Sequence, residues 1–332
     1  MARTLSLVVP SGNLTLGNLL GAIVHWVADQ RGTDSIYGVA DLHALTTPHD
    51  PAAVRAATME QAALLLAAGL DPSRCTIFVQ SHVPAHAELL WLLEATAYDG
   101  ELRRMIQYKE KSARHESVRA ALLTYPVLMA ADVLLYDVAT VPVGDDQRQH
   151  LELARDLALR FNKSYGPTFT VPRAVTPLVG ARLMDLQDPA VKMSKSVPLE
   201  AGGVIRLLDP PGVVRRKIAR AVTDSGQRLE PGAEPGPGVA NLLTMLAACT
   251  GQTGPAQTPQ QAAAGLVTYR DLKEACAEAV VALLTPLQDR YATFAADPVT
   301  MTRVLRDGAG QARALAEGTL ARAKAAIGLL PG

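Results

Sequence analysis

Short apolar runs alternate with longer stretches of helical spacing through the first hundred residues. "TLSLVV" (4–9) is a strand-length run that stops at Pro10, as a buried strand does. In "LTLGNLLGAIVHWVADQ" the apolar positions Leu16, Leu19, Leu20, Ile23, Val24 and Val27 recur at helical intervals. "DSIYGVADLHALT" predicts a second strand, where Ile36, Tyr37, Val39 and Ala40 run into a polar end. "DPAAVRAATMEQAALLLAAGLDP" predicts a helix that opens on Asp-Pro and stops at Gly69. "CTIFVQSHV" is a third strand, and "AHAELLWLLEATA" returns to helix. Single strands apolar on both faces, separated by helices, predict a parallel α/β sheet. Ligands of such sheets bind beyond the carboxyl ends of the strands. Those ends fall at Pro10, at Asp41 to His43 and near Val143, all in polar or glycine-rich sequence.

Farther along, "VIRLLDPPGVVRRKIARAVTD", "GVANLLTMLAACTG" and the Ala-, Leu- and Arg-rich tail read as helices. The Pro/Gly-rich "LEPGAEPGPG" (229–238) and the loose "QTGPAQTPQQAAAG" connect them. The pattern therefore predicts an α/β domain over 1–198 and a smaller helical domain over 199–332. The last helix is expected to pack back on the first domain. Composition adds that the chain is globular, being 48% hydrophobic and 19% charged. Lys+Arg and Asp+Glu both total 32, so a polyanionic partner has to be met by a local basic surface. Cys75, Cys249 and Cys276 are scattered, which fits a reducing compartment and not a disulfide framework or a zinc site. The first apolar run is too short for a signal peptide, and "LLTYPVLMAADVLLYDVATVPV" is broken by Pro126, Asp132 and Asp137. A soluble, cytoplasmic protein without a membrane segment is the expectation.

Four stretches can carry chemistry. In "PSGNLTLGN" (10–18) a strand turns into a helix, and the helix N-terminus with Gly12, Gly17, Thr15 and Asn18 suits a phosphate. Many α/β proteins start a helix in this way. In "VPVGDDQRQHLELARDLALRF" (141–161), Asp145 and Asp146 either cap a helix or, with Gly144, hold a ribose or an amino group. Asp132 lies in a very apolar helical segment. It is either salt-bridged or a pocket acceptor that rejects ligands lacking the matching donor. "DPAVKMSKSVPLE" (188–200) places Lys192 and Lys195 in a loop of small residues between Pro189 and Pro198. A plain surface turn explains an isolated pair of this kind. A mobile loop that closes over phosphates and stabilises a leaving pyrophosphate explains it too.

Taken in order, these stretches resemble a class I aminoacyl-tRNA synthetase, with "TLGN" as the first signature and "KMSKS" as the second. "DLHALT", "GELRRMIQYKEKS", "LLTYPVLMAADVLLYD", "VPVGDDQRQHLELARDLALRFN", "VGARLMDLQDPAVKMSKS" and "AVTDS" make the whole similar to the bacterial tryptophanyl-tRNA synthetases. The likeness runs from residue 10 to 225 and weakens in the helical part, where "GVANLLTMLAACTGQ" still resembles the family. It implies a Rossmann-like, doubly wound α/β catalytic domain carrying a dimer-forming insertion, followed by a smaller α-helical domain on the tRNA and anticodon side. It also implies ATP with Mg²⁺ (entering with the ATP), L-tryptophan and tRNA(Trp) as ligands, and a homodimer. The implied ATP site comprises Val9, Pro10, Ser11, Gly17, Asn18, Gly144, Asp145, Asp146, Leu183, Lys192, Met193, Ser194, Lys195 and Ser196. Lys192, Lys195, Lys111, Thr15 and Asn18 would be catalytic, with Thr15 and Asn18 standing where the signature's name has histidines. Leu5, His43, Tyr125, Met129, Asp132 and Gln147 would surround the tryptophan, with Asp132 accepting the indole N–H.

The first strand departs from the family's pattern, which runs close to S-G-x-Q-P-S-G. Leu7 replaces its glycine, Val9 its glutamine, and Leu5 an aromatic residue. These changes suggest an auxiliary form with an altered response to tryptophan-like inhibitors. They also keep open a non-catalytic paralogue that binds tryptophan or a nucleotide as a regulator, and a tyrosyl-tRNA synthetase. The basic cluster Arg215, Arg216, Lys217 and Arg220 is either a solvated helix face or an RNA contact whose affinity falls steeply with salt.

Overall fold

The computed structural model describes residues 3–30, 34–113, 117–142, 144–175, 181–195, 197–198, 200–224, 228–229, 234–254 and 257–330, the side chains of Asp145, Asp146 and Thr253 excepted. Strands β1 (Thr4–Val8), β2 (Ser35–Val39) and β3 (Thr76–Val79) form a parallel sheet in that order. All five residues of β2 are buried, as a central parallel strand requires. A second parallel pair, β4 (Thr140–Pro142) with β5 (Arg173–Val175), lies with β4 beside β1. The register aligns Val8 with Val39 and Val39 with Val79. The three chains therefore leave the sheet at one level, and residues 9–12, 40–43 and 80–86 emerge along one edge.

Helix α1 runs over 16–29, with a π-helical stretch at Leu19–Ile23. Helix α2 (Pro51–Ala68) starts where the Asp50 carboxylate accepts the N–H groups of Ala52 and Ala53, and it ends at left-handed Gly69. Those are the boundaries its sequence predicts. Helices α3 (Ala85–Glu94), α4 (Ala120–Leu135) and α5 (Asp145–Tyr165) follow. The helical part comprises α6 (Pro211–Ala219), α7 (Pro237–Thr253), α8 (Tyr269–Ala295) and α9 (Pro298–Ala326). Helix α6 is much shorter than the apolar spacing of 204–224 suggests, because Pro210 and Pro211 delay its start.

Two apolar cores result. One joins α1 and α2 to the helical part through Leu16, Leu65, Leu183, Met193, Leu246 and Leu284. The other lies on the opposite face of the sheet, where Phe78, Leu89, Tyr136, Phe161 and Ala312 meet. Helix α9 closes the open edge of β3. A Cβ on Gly308 would fall 1.9 Å from the Ile77 carbonyl oxygen, so only glycine lets the helix lie on that backbone. Arg322 and Thr319 of α9 both hydrogen-bond the Asp137 carboxylate just past α4. Among the described residues, no helix is long and apolar enough to cross a membrane.

Candidate active site

Proline at position 10 ends the β1 ladder, and the chain turns sharply as Ser11 N–H donates to the Val9 carbonyl at 2.8 Å. Gly12 follows at φ +107°. Its carbonyl accepts from Gln61 Nε2 of α2 at 2.9 Å, and Asn13 donates to Glu60 beside it. Thr15, fully buried, caps α1 in a reciprocal box with Asn18. Asn18 Oδ1 accepts the Thr15 N–H and hydroxyl, both at 3.0 Å. Thr15 thus spends its hydroxyl inside the protein, while Asn18 keeps its amide nitrogen as a donor without a partner among the described residues.

The lysine loop docks on this turn. Residues Asp185 and Met193 donate their N–H groups to Val191 and Leu183, which pairs the two sides of the loop. Asn241 of α7 holds the near side, giving to the Met184 carbonyl at 3.0 Å and taking its N–H at 2.9 Å. Buried Met193 packs on Gly17, where an added Cβ would lie 3.7 Å from the Met193 Cβ. At Gly12 the approach is closer: a Cβ there would meet the Lys195 carbonyl oxygen at 2.4 Å. Lys195 Nζ donates to the Val9 carbonyl at 2.5 Å, and burial pushes its ammonium down to about 8. Buried Arg206 anchors the loop's exit by donating to the carbonyls of Val197 and Pro198. Two motifs some 180 residues apart in sequence (10–18 and 192–195) therefore pack against each other largely through backbone.

A second group of side chains gathers on α4. Tyr125, Met129 and Asp132 share one face of that helix by their spacing. The Asp132 carboxylate accepts from His43 Nε2 at 2.8 Å, from Gln80 Nε2 at 2.6 Å and from His86 Nδ1 at 2.7 Å. Burial works to raise its pKa, but the bonds from His43 and His86 prevail and hold it at about 2. His43 stands edge-on to the Tyr125 ring, 6.3 Å between centroids. The Tyr125 hydroxyl donates to Gln107 Oε1 at 3.1 Å and contacts His150 Nε2 at 2.8 Å, and burial lifts its phenol far above the usual range. Lys111 lies with its ammonium 5.2 Å from the centre of the same ring.

The predicted residues thus fall into two groups. Val9, Pro10, Ser11, Thr15, Gly17, Asn18, Leu183, Met193 and Lys195 converge at the β1 turn, and exposed Lys192 pairs with Met184 at the loop's start. Ser194 is half-buried between Met193 and Lys195. His43, Tyr125 and Asp132 converge at α4, with half-buried Met129 one turn before Asp132. Leu5 is a buried core residue of β1. Lys111 is tied to Tyr125, and no described contact joins it to the lysine loop. Gly144 caps α5 and accepts the Gln147 N–H. Ser196 and the side chains of Asp145 and Asp146 lie outside the described residues. Of the basic cluster, Lys217 is committed to Asp209 and the Val204 carbonyl, and Arg215 to Glu278. Arg216 and Arg220 remain exposed.

Sequence reasoning missed Gln80, His86, Gln61, Arg206 and Asn241. Each is a polar side chain buried in the folded chain. The signal for Gln80 and His86 was their place in "VQSHVPAH", directly after a strand that ends at the ligand edge.

A model of the class I tRNA synthetases (W and Y) matches residues 2–285 of the chain. The tryptophan–tRNA ligase 1 of Streptomyces coelicolor is 55% identical, and the match covers 100% of this chain and 98% of that protein. The crystal structure of tryptophanyl-tRNA synthetase from Mycoplasma pneumoniae superposes with a TM-score of 0.89 at 37% identity, covering 99% of this chain and 98% of the other. That of the Campylobacter jejuni tryptophanyl-tRNA synthetase, complexed with ADP and tryptophan, superposes at 0.84 with 31% identity over 98% of this chain and 100% of that one.

Proposed function

The chain belongs to the class I tRNA synthetases (W and Y), its activity is that of a tryptophan–tRNA ligase, and we propose that the two groups of residues divide the substrates between them. The turn over 9–18 and the loop over 192–195 take ATP. Asp132, His43, Tyr125, Met129 and Gln147 take L-tryptophan, with Leu5 behind the pocket. The observation that carries this division is the docking of Met193 and Lys195 on Gly17 and Gly12. It gives a cation-bearing loop a place beside a helix N-terminus, where phosphates bind.

In the first step the ionised tryptophan carboxylate attacks the α-phosphorus, forming a C(=O)O–P bond as the bond to the pyrophosphate oxygen breaks. Tryptophanyl-adenylate and pyrophosphate result. No protein nucleophile or base is required, so the chain contributes position and charge. Lys192 and Lys195 neutralise the departing pyrophosphate, and Asn18 directs its free amide nitrogen at the nucleotide. Gly144, Asp145 and Asp146 hold the nucleoside, and Mg²⁺ enters with the triphosphate. In the second step a ribose hydroxyl at the tRNA(Trp) acceptor end takes the tryptophanyl group and AMP leaves.

Asp132 gives selection for tryptophan. A carboxylate offers about four lone-pair directions, and among the described residues three donors occupy three of them. The remaining direction on Oδ2 accepts the indole N–H. A full-length relative at 55% identity does not favour a tyrosyl enzyme or a non-catalytic paralogue. Exchange of pyrophosphate into ATP, run with tryptophan, with tyrosine and with no amino acid, is the direct test. Exchange with tyrosine, or with none of the three, would sink the reading.

The protein works in the cytoplasm as a homodimer built on the α/β domain of residues 1–198. Trp91, Tyr98 and Ile106 support that assembly: they are 72%, 65% and 57% exposed within one short stretch. Sedimentation at micromolar concentration checks it, and a Trp91→Glu variant should sediment as a monomer. The exposed Arg216 and Arg220 contribute to tRNA binding from the helical part, so Arg216→Ala should flatten the salt dependence of tRNA affinity.

A further inference from the structure

Of the three donors to Asp132, two are sealed from solvent: Gln80 and His86 are 0% exposed, whereas the His43 side chain keeps 11%. Both sealed donors bind Oδ1, at 2.6 and 2.7 Å, and among the described residues His43 alone binds Oδ2. Two bonds from fixed positions on one oxygen stop the carboxylate from rotating. They thereby fix where the last lone pair of Oδ2 points.

His86 is itself held at three places. Its Nε2 lies 2.8 Å from the hydroxyl of Tyr136, which follows Asp132 by one helical turn. Phe78 stacks on the ring at 5.8 Å with 20° between planes. With Nδ1 turned to the Asp132 carboxylate, Nε2 on the far side of the ring meets the Tyr136 hydroxyl, a group able to complement it. Burial keeps that phenol protonated by pushing its pKa up. The tyrosine and Phe78 therefore hold the ring, and the placement of the ring fixes the direction of Nδ1 towards Asp132.

We infer that His86 is a positioning residue for amino-acid selection: gripped between Tyr136 and Asp132, it orients the Asp132 carboxylate so that Oδ2 meets a ring N–H. The inference rests on the reading that Asp132 accepts the indole N–H. It extends that reading to a side chain that touches no substrate. Ligands with an N–H at that point gain a bond to a carboxylate whose direction is set in advance. Ligands without one leave a buried acceptor short of a partner.

The test is pyrophosphate exchange with tryptophan and with its benzothienyl analogue, which has sulfur in place of the ring N–H. His86→Leu should lower the ratio of kcat/KM for tryptophan over the analogue by about tenfold or more. KM for ATP should stay within about twofold, because the nucleotide group stands on other elements. His86→Asn presents an amide N–H near the place of Nδ1 and should restore most of the preference. His86→Gln reaches towards Nε2 instead and should not. A purely structural histidine would lower activity with both amino acids alike and leave the ratio unmoved, which overturns the inference. Should His86→Leu not fold, equal ratios in the Asn and Gln variants overturn it as well. Asp132→Ala, measured alongside, separates the two claims. Preference kept there sinks the reading of Asp132 and the inference with it. Preference lost there, with an unmoved ratio in His86→Leu, sinks the inference alone.

Discussion

Replacing Gly12 by alanine is the most direct challenge to the docked lysine loop. The new Cβ would sit 2.4 Å from the Lys195 carbonyl oxygen and 3.3 Å from its carbonyl carbon, at a backbone φ of +107°. The atom it meets is backbone, so no rotamer change relieves the clash. The turn is poorly placed to give way, because Gln61 holds the Gly12 carbonyl and Glu60 holds Asn13. The loop must therefore retreat by about 1 Å, a misplacement that costs on the order of 100-fold in rate. That is about 2.7 kcal/mol of transition-state stabilisation. The left-handed backbone adds a separate cost of about 1–3 kcal/mol to folding. Pyrophosphate exchange at saturating ATP and tryptophan reads the first quantity, and urea unfolding reads the second. Tryptophan affinity, by equilibrium dialysis, should stay within about twofold, since Asp132, His43 and Tyr125 stand on other elements. Gly310→Ala is the control, because a Cβ there meets nothing within 4 Å. Exchange by Gly12→Ala within about threefold of wild type would refute the idea that loop docking serves catalysis.

Three more expectations follow from the same contacts. Burial holds Lys195 at about 8, below its ordinary 10.5, so between those values the unfolded chain binds more protons and stability rises with pH. Lys195→Met should flatten that rise, removing an increment on the order of 3 kcal/mol between urea melts at about pH 7 and pH 10; an unchanged slope would assign the rise to other groups. Asn241→Ala strips both bonds from the Met184 backbone, at about 1–3 kcal/mol for each unpaired group. It should raise KM for ATP by about fivefold or more and leave KM for tryptophan alone, whereas an equal rise in both would mean general loosening. Val9→Gln should shift the inhibition constants of tryptophan-like inhibitors, and equal sensitivity in both enzymes would remove the case for an auxiliary form.

The three-stranded sheet was legible because β1, β2 and β3 read as short apolar runs between helical stretches, with β2 buried throughout and β3 nearly so. The α2 boundaries were legible because Asp50, Pro51 and Gly69 each act through the local backbone. Within the site, Gly12, Gly17 and the two lysines stood out through composition, and Asp132 through its misfit in an apolar helix. What could not be read was who satisfies whom. Gln80 and His86 reach Asp132 across gaps of 52 and 46 residues, and Asn241 reaches Met184 across 57. No local pattern encodes such pairings, because they are fixed by how helices stack on the sheet. Lys217 shows the reverse error. It reads as a free cation in "VVRRKIAR", yet folding brings Asp209 to within 2.7 Å of it.

The two halves of the site are built from different materials, and their tasks explain the difference. On the proposed division of the site, selection for tryptophan depends on one acceptor that the right ligand pairs, so everything around that acceptor has to be immobile. Side-chain bonds deep in the protein provide this: Oδ1 of Asp132 is saturated by two sealed donors, and the ring behind it is gripped by Tyr136. Pyrophosphate departure makes the opposite demand, for a cation that can move with the charge. In the role proposed for it, Lys195 would meet that demand by resting on a neutral backbone carbonyl in a half-buried place that disfavours its ammonium. A triphosphate offers that ammonium charged oxygens in place of the Val9 carbonyl, and the bond it gains is stronger than the bond it gives up. On the proposed division of the site, the depressed pKa of Lys195 is therefore part of what drives the loop onto ATP. Binding should then draw a proton from solution above pH 8, a proton uptake that calorimetry in buffers of different ionisation enthalpy would detect and that Lys195→Met should abolish.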